Sequence, residues 1–278
     1  MTHLPVEPGP IGVFDSGYGG LTILQGIRGL MPEYDYVYLG DNARTPYGTR
    51  SFDVVYEFTR QAVVRLFQLG CHLVILGCNT ASAKALRSIQ QRDLAGIDPN
   101  RRVLGVIRPT VEEIGNLTTT RNVGIFGTPG TVQSLSYDIE IGKMFPDIKV
   151  YSHACPMWVP LVENRESDGP GADYFVKKDV DSLMSQCADI DAIILGCTHY
   201  PLLCEKIKKY VPAHVKIIEQ GPIVAHSLKD YLDRHPEMEQ RCSKGGSCRY
   251  TTTEDASRFS PVASIFVNHT VNAEHVIL

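Results

Sequence analysis

Two cysteines of this chain are placed to do chemistry: Cys78 in Leu76-Gly77-Cys78-Asn79-Thr80 and Cys197 in Leu195-Gly196-Cys197-Thr198-His199. The first follows His72-Leu73-Val74-Ile75 and the second Asp191-Ala192-Ile193-Ile194, so each closes an apolar run through a Leu-Gly step. A lone cysteine is commonly a small buried hydrophobe. Two at matched positions of similar stretches are a signal. A disulfide switch would bond the sulfurs to each other and leave no room for a substrate. A metal centre needs three or four ligands, and beyond His199 no convincing fourth presents itself, so no metal is expected. The remaining chemistry is acid–base work on a carbon held between the thiols. One thiolate removes a proton from one face while the opposite thiol delivers one to the other, and the stereocentre inverts. Thiols suit this because their ordinary pKa of about 8.5 can be tuned toward neutrality. Each needs a proton relay: Asp15 and Ser16 are candidates beside Cys78, and His199 and Glu163 beside Cys197.

The elements that must position these residues read as strands followed by helices. A short apolar run bounded by glycine is a buried strand, and the spacing after it is helical. Each cysteine then sits where a parallel strand ends and a helix begins, the edge at which open α/β sheets bind ligands and at which a helix N-terminus favours a thiolate. Ile11–Phe14 reads as the first strand, with Asp15-Ser16-Gly17-Tyr18-Gly19-Gly20 as its turn and a helix over 21–31. This turn is neither a G-x-G-x-x-G nor a P-loop, since it lacks the lysine, and Asp15 stands where a phosphate would go. Further strands are expected at 36–39, 73–77, 104–107, 123–126, 149–152, 192–195, 215–218, near 249–252 and at 275–278, with helices between most of them. Among these, helices are expected over 79–92, 132–144 and 172–188. Gly96–Asn100 is the best candidate for a crossing between domains. Thr128 and Thr131 are candidate hydrogen-bond donors to a small ligand and equally good helix caps. The alternation predicts an α/β fold of two similar parallel-sheet units with helices on both faces and a cleft between their strand ends.

Composition excludes several classes. Hydrophobic residues make up 43% and charged residues 21% of the 278, as in a globular protein, and a net charge of −4 without a basic block argues against nucleic acid as a partner. No apolar run approaches the roughly 20 residues of a membrane helix. Met1–Pro10 has neither a basic nor an apolar region of a signal peptide, so a cytoplasmic location is expected. Eight cysteines are too few for a disulfide scaffold. Cys242 and Cys248, without a C-x-x-C, read as two loop thiols.

Six motifs together carry a resemblance: Asp15-Ser16-Gly17-Tyr18-Gly19-Gly20, Pro46-Tyr47-Gly48, Cys78-Asn79-Thr80, the Thr128/Thr131 turn, Val159-Pro160-Leu161-Val162-Glu163 and Gly196-Cys197-Thr198-His199-Tyr200-Pro201. Nearly end to end, the sequence resembles the glutamate racemases of bacteria. The resemblance implies a cofactor-independent isomerase interconverting L- and D-glutamate and supplying D-glutamate for peptidoglycan, hence for cell wall and cell shape. It implies that Cys78 deprotonates D-glutamate with help from Asp15, and that Cys197 deprotonates L-glutamate with help from Glu163 and His199. Asp15, Ser16, Tyr47, Gly48, Asn79, Thr80, Thr128, Thr131 and Thr198 are expected to contact the substrate. Residues 1–103 with 220–278 are expected to form the domain of Cys78, and 104–219 that of Cys197. A homodimer is the family expectation. Arg108 stands where many members carry an acidic residue, and the ten residues before the first strand predict no activation by a cell-wall precursor. A relative acting on aspartate, a non-catalytic binder of acidic amino acids and a thiol redox protein are the alternatives.

Overall fold

Ten apolar or half-apolar runs become strands: β1 Ile11–Asp15, β2 Tyr36–Gly40, β3 Leu73–Leu76, β4 Arg102–Gly105, β5 Asn122–Gly127, β6 Lys149–Ala154, β7 Ala192–Gly196, β8 Lys216–Ile218, β9 Cys248–Thr252 and β10 Ala273–His275. This is a computed structural model, and it describes residues 7–278. The part of the signal-peptide reading that rests on residues 1–6 lies outside the described residues. One sheet has the order β10-β9-β2-β1-β3-β4 and the other β6-β5-β7-β8. Among the described residues every strand pairing is parallel, with Asp15 opposite Gly40 and Gly127 opposite Gly196 at the carboxyl ends.

Parallel sheets need cover on both faces, and the side-chain alternation supplies it. Val13, Tyr36, Tyr38 and Ile75 pack with Leu21, Leu24 and Ile27 of the helix Gly20–Leu30. Phe14, Leu39, Val74 and Leu76 pack instead with Val55, Val63 and Leu66 of the helix Phe52–Gln68. That helix starts cleanly because the Ser51 side chain accepts the Val54 N–H. In the second sheet Val123, Ile125 and Ile194 meet Val111, Ile114 and Ile141. Phe126, Ile193 and Leu195 face Val176, Val180 and Leu183.

Several boundaries differ from the sequence expectation. The strand expected at 104–107 lies at Arg102–Gly105, and Ile107 already belongs to the helix Ile107–Leu117. A short β-branched run reads alike as buried strand or buried helix start. Gly96–Asn100 does not carry the chain to the other sheet, because β4 after it still pairs with β3. The chain leaves the first sheet after β4 and returns after β8 through the helix Gln220–Arg234. The helix expected over 79–92 breaks at Ala85 and continues through a π turn at Ile89–Asp93. That over 132–144 is two helices, Pro129–Gln133 and Ser136–Met144, divided at Leu135 with φ 54°. The last strand is Ala273–His275. No helix among the described residues is long and apolar enough to cross a membrane. All eight cysteines are free, Cys242 buried and Cys248 half-buried.

Candidate active site

The carboxyl edges of β1 and β3 build one half of the site. Cys78 is the N-cap of the helix Asn79–Lys84, and its Sγ accepts the Ala81 N–H at 3.5 Å. The Cys78 Sγ also donates to Ser16 Oγ at 3.5 Å. Asp15, fully buried at the end of β1, accepts the Gly17 N–H at 2.9 Å. Burial holds the Asp15 carboxyl above its ordinary range, partly offset by the nearby His199 and by the Gly20 and Gly17 N–H groups. Burial likewise pushes the Cys78 thiol up to about 12, and the Asp15 charge adds to it, while Ser16 and the Ala81 N–H act against both. A charge on Asp15 thus makes ionisation of the Cys78 thiol harder.

The carboxyl edge of β7 builds the other half. Cys197 Sγ lies 3.8 Å from His199 Nδ1, and His199 Nε2 lies 3.0 Å from Glu163 Oε1. Glu163 is the last residue of the short helix Trp158–Glu163, which the buried Trp158 anchors against Phe126 and Tyr200. Burial opposes a charge on the His199 ring, yet hydrogen bonds to Cys197 and Glu163 outweigh it and raise His199 to about 10. The His199 ring, held toward its protonated form, therefore lies between the Cys197 sulfur and the Glu163 carboxyl group.

The two halves touch directly. Thr198 Oγ1 donates to Asp15 Oδ1 at 3.4 Å, and Thr22 Oγ1 donates to the Thr198 carbonyl at 3.2 Å. Thr80 Oγ1 lies 2.9 Å from Thr128 Oγ1 and 3.4 Å from Thr131 Oγ1, so these three hydroxyls form one cluster. The Gly130 N–H donates to the Gly48 carbonyl at 2.7 Å. Two glycines permit this approach. A Cβ on Gly19 would lie 2.2 Å from Thr198 Oγ1 and 2.5 Å from His199 Nδ1, and one on Gly48 would lie 2.8 Å from Thr128 Cβ. Tyr47 is buried nearby with its hydroxyl donated to Asp41. With Cys78 5% and Cys197 6% exposed, the cleft between the halves is closed.

Sequence reading missed the residues that join the halves behind the thiols. Asn79 Nδ2 donates to Gln220 Oε1 at 2.6 Å, and Tyr137 OH donates to Asn79 Oδ1 at 2.7 Å. Gln220 Nε2 in turn donates to Tyr137 OH at 2.9 Å and to Thr110 Oγ1 at 2.8 Å. Nothing in the local pattern of Gln220 or Tyr137 marks them; only their meeting in space does. A cavity of about 420 Å³ opens behind Cys197, lined by Thr22, Gly26, Thr198 and Gln220 among others. A second concavity, about 760 Å³, borders neither thiol; Arg108, paired with Glu112 at 2.9 Å, lines it.

Residues 22–228 match the family model described as Asp/Glu/Hydantoin racemase. The glutamate racemase of Ruegeria sp. (strain TM1040) is 39% identical over 95% of this chain and 98% of its own length. That of Roseobacter denitrificans is 39% identical over 94% and 97%. The crystal structure of glutamate racemase isoform RacE1 from Bacillus anthracis superposes with a TM-score of 0.88 at 34% identity, covering 97% of this chain and 98% of that one. The Francisella tularensis glutamate racemase in complex with D-glutamate gives 0.85 at 32% identity, over 97% of each chain. On these matches, and with a thiol at the edge of each sheet, the chain belongs to the Asp/Glu/hydantoin racemase family, among its glutamate racemases.

Proposed function

We propose that the protein interconverts L- and D-glutamate by a two-thiol mechanism between its two sheets. The observation that carries this reading is the pairing of unlike relays: Cys197–His199–Glu163 on one side, Cys78 with Ser16 and Asp15 on the other. In the L-to-D direction the Cys197 thiolate takes the α-proton and becomes a thiol. The Cys78 thiol then gives its proton to the opposite face of the α-carbon and becomes a thiolate. The reverse direction exchanges the roles. To restore the starting state of this direction, the Cys197 thiol must lose the proton it took and the Cys78 thiolate must regain one. The His199–Glu163 pair stands beside the first sulfur to relay its proton away, and Asp15 stands on the side of the second to supply one. The α-proton of an amino acid is far less acidic than a thiol, so the carbanion needs help. Closure of the cleft excludes water, and the hydroxyls of Ser16, Thr80, Thr128, Thr131 and Thr198 with nearby backbone N–H groups supply fixed donors for the carboxylates. Tyr47, Gly48 and Asn79 complete the substrate wall.

The sheets serve as two domains that part to admit the substrate, one carrying Cys78 and the other Cys197. Because β4 runs through Gly105 in the first sheet, the boundary expected at 103/104 moves to follow Gly105, with 220–278 returning to the first domain. Family membership supports a role in making D-glutamate for peptidoglycan in the cytoplasm and assembly as a homodimer. The deciding measurement is solvent-deuterium incorporation at Cα of L-glutamate without added cofactor, beside Cys78→Ser and Cys197→Ser. Exchange with inversion in the parent, and inversion lost in both variants by about 10³-fold or more, is the expected result. Exchange with aspartate alone would move the substrate, and exchange with neither would end the racemase reading.

A further inference from the structure

Away from the thiol pair, the end of β6 holds a second cluster of ligating side chains. One donor atom each from His153, Cys155 and Asp179 lies within 4.8 Å of the other two. His153 and Cys155 are two residues apart along extended backbone, so they share a face. Asp179 comes from the helix Pro170–Met184, whose buried stripe is otherwise Ala172, Val176, Val180 and Leu183. A carboxylate in such a stripe is costly unless something balances its charge. Its hydrogen-bond partner is His153, with Nε2 3.1 Å from Oδ1, and no lysine or arginine pairs with it among the described residues. The Cys155 thiol reaches the His153 carbonyl at 3.9 Å and also lies within hydrogen-bonding reach of the Asp179 carboxyl group.

We propose that His153, Cys155 and Asp179 form a binding site for a divalent metal of the zinc type, with water as its fourth ligand. The donor set decides the class. A thiolate with an imidazole and a carboxylate suits a borderline-soft tetrahedral ion and disfavours magnesium or calcium, which prefer oxygen. Charge balances as well: binding releases the Cys155 thiol proton, and thiolate plus carboxylate then neutralise the dication. Geometry is close to what is needed. With bonds of about 2.0–2.3 Å the edge of such a tetrahedron is about 3.3–3.7 Å. The His153–Asp179 separation of 3.1 Å is within a few tenths of an ångström of that edge, and no donor pair of the three is further apart than 4.8 Å. His153, whose side chain is 22% exposed, provides the way in. A metal here ties β6 to the Pro170–Met184 helix at the root of the short helix that ends in Glu163.

Cobalt(II) titration of the full chain tests the site. The expected result is one equivalent bound with Kd below about 1 μM, with tetrahedral d–d bands and a thiolate-to-cobalt charge-transfer band. Cys155→Ser should remove the charge-transfer band, and the half-exposed His153→Gln, checked for folding by circular dichroism, should weaken binding at least tenfold. The double variant Cys78→Ser/Cys197→Ser should keep both spectrum and affinity. A spectrum that survives His153→Gln, or one that vanishes in the double variant, would place the metal on the catalytic thiols and overturn the proposal. So would the absence of any band at one equivalent.

Discussion

The two thiols are equivalent in position and unequal in surroundings. Cys78 faces a carboxyl and a hydroxyl, and its thiol is held at about 12, whereas Cys197 faces a protonated ring. The His199 proton has a consequence for stability. Its pKa is about 10 in the folded chain against 6.5 for the free side chain, so the folded state binds this proton more tightly. The stability this adds is fully present below pH 6.5 and is lost as pH rises through 10. Between pH 7 and 9 the urea midpoint of the parent is therefore expected to fall more steeply than that of His199→Gln. Parallel profiles would show that the ring is not a cation in the fold.

At the scale of elements, the site depends on how closely the turn after β1 approaches the turn after β7. The helix Gly20–Leu30 begins at Gly19, against Thr198 and His199, and a single added methyl group there has no free space. Gly19→Ala is expected to lower kcat by about 10²-fold, because displacements of about 1 Å have that effect on aligned groups. The substitution leaves the buried face of that helix, Leu21, Leu24 and Ile27, as it is, so the thermal midpoint should move by only a few degrees. A variant with full activity would show that the two turns need not meet during the reaction.

At the scale of the molecule, Gln220 is the pin. It opens the return helix Gln220–Arg234 and reaches Asn79, Tyr137, Thr110 and the Val106 carbonyl, so it joins residues that follow β3 to residues on both sides of β5. Gln220→Ala strands the buried Asn79 Nδ2, while the Thr110 hydroxyl keeps its bond to the Val106 carbonyl. A loss of about 2–3 kcal/mol is expected from urea unfolding. Because Asn79 adjoins Cys78, kcat should fall as well, by about tenfold or more. Unchanged kcat with the stability loss would make the network a brace for the fold alone.

What the sequence by itself determined was local. Apolar runs ending in Gly-Cys are strands that deliver a thiol to a sheet edge, since burial on both faces demands such runs and a helix N-terminus must follow. Cys78, Cys197, Asp15 and His199 were legible for that reason, each within a few residues of a strand end. Glu163 stood out only as a carboxylate closing an apolar stretch, and its bond to His199 depends on a short helix anchored by Trp158. The start of β4 escaped the pattern because short apolar runs fit strand and helix equally, and the break at Leu135, a leucine at φ 54° between two helical segments, has no mark in the local spacing. Gln220, Tyr137, and the meeting of His153 and Cys155 with Asp179 were decided only by tertiary structure. Their partners are far away in the chain, and side-chain hydrogen bonds between distant elements leave no periodicity to read. Local chemistry is written in spacing, whereas contact between two sheets is set by how their helices pack.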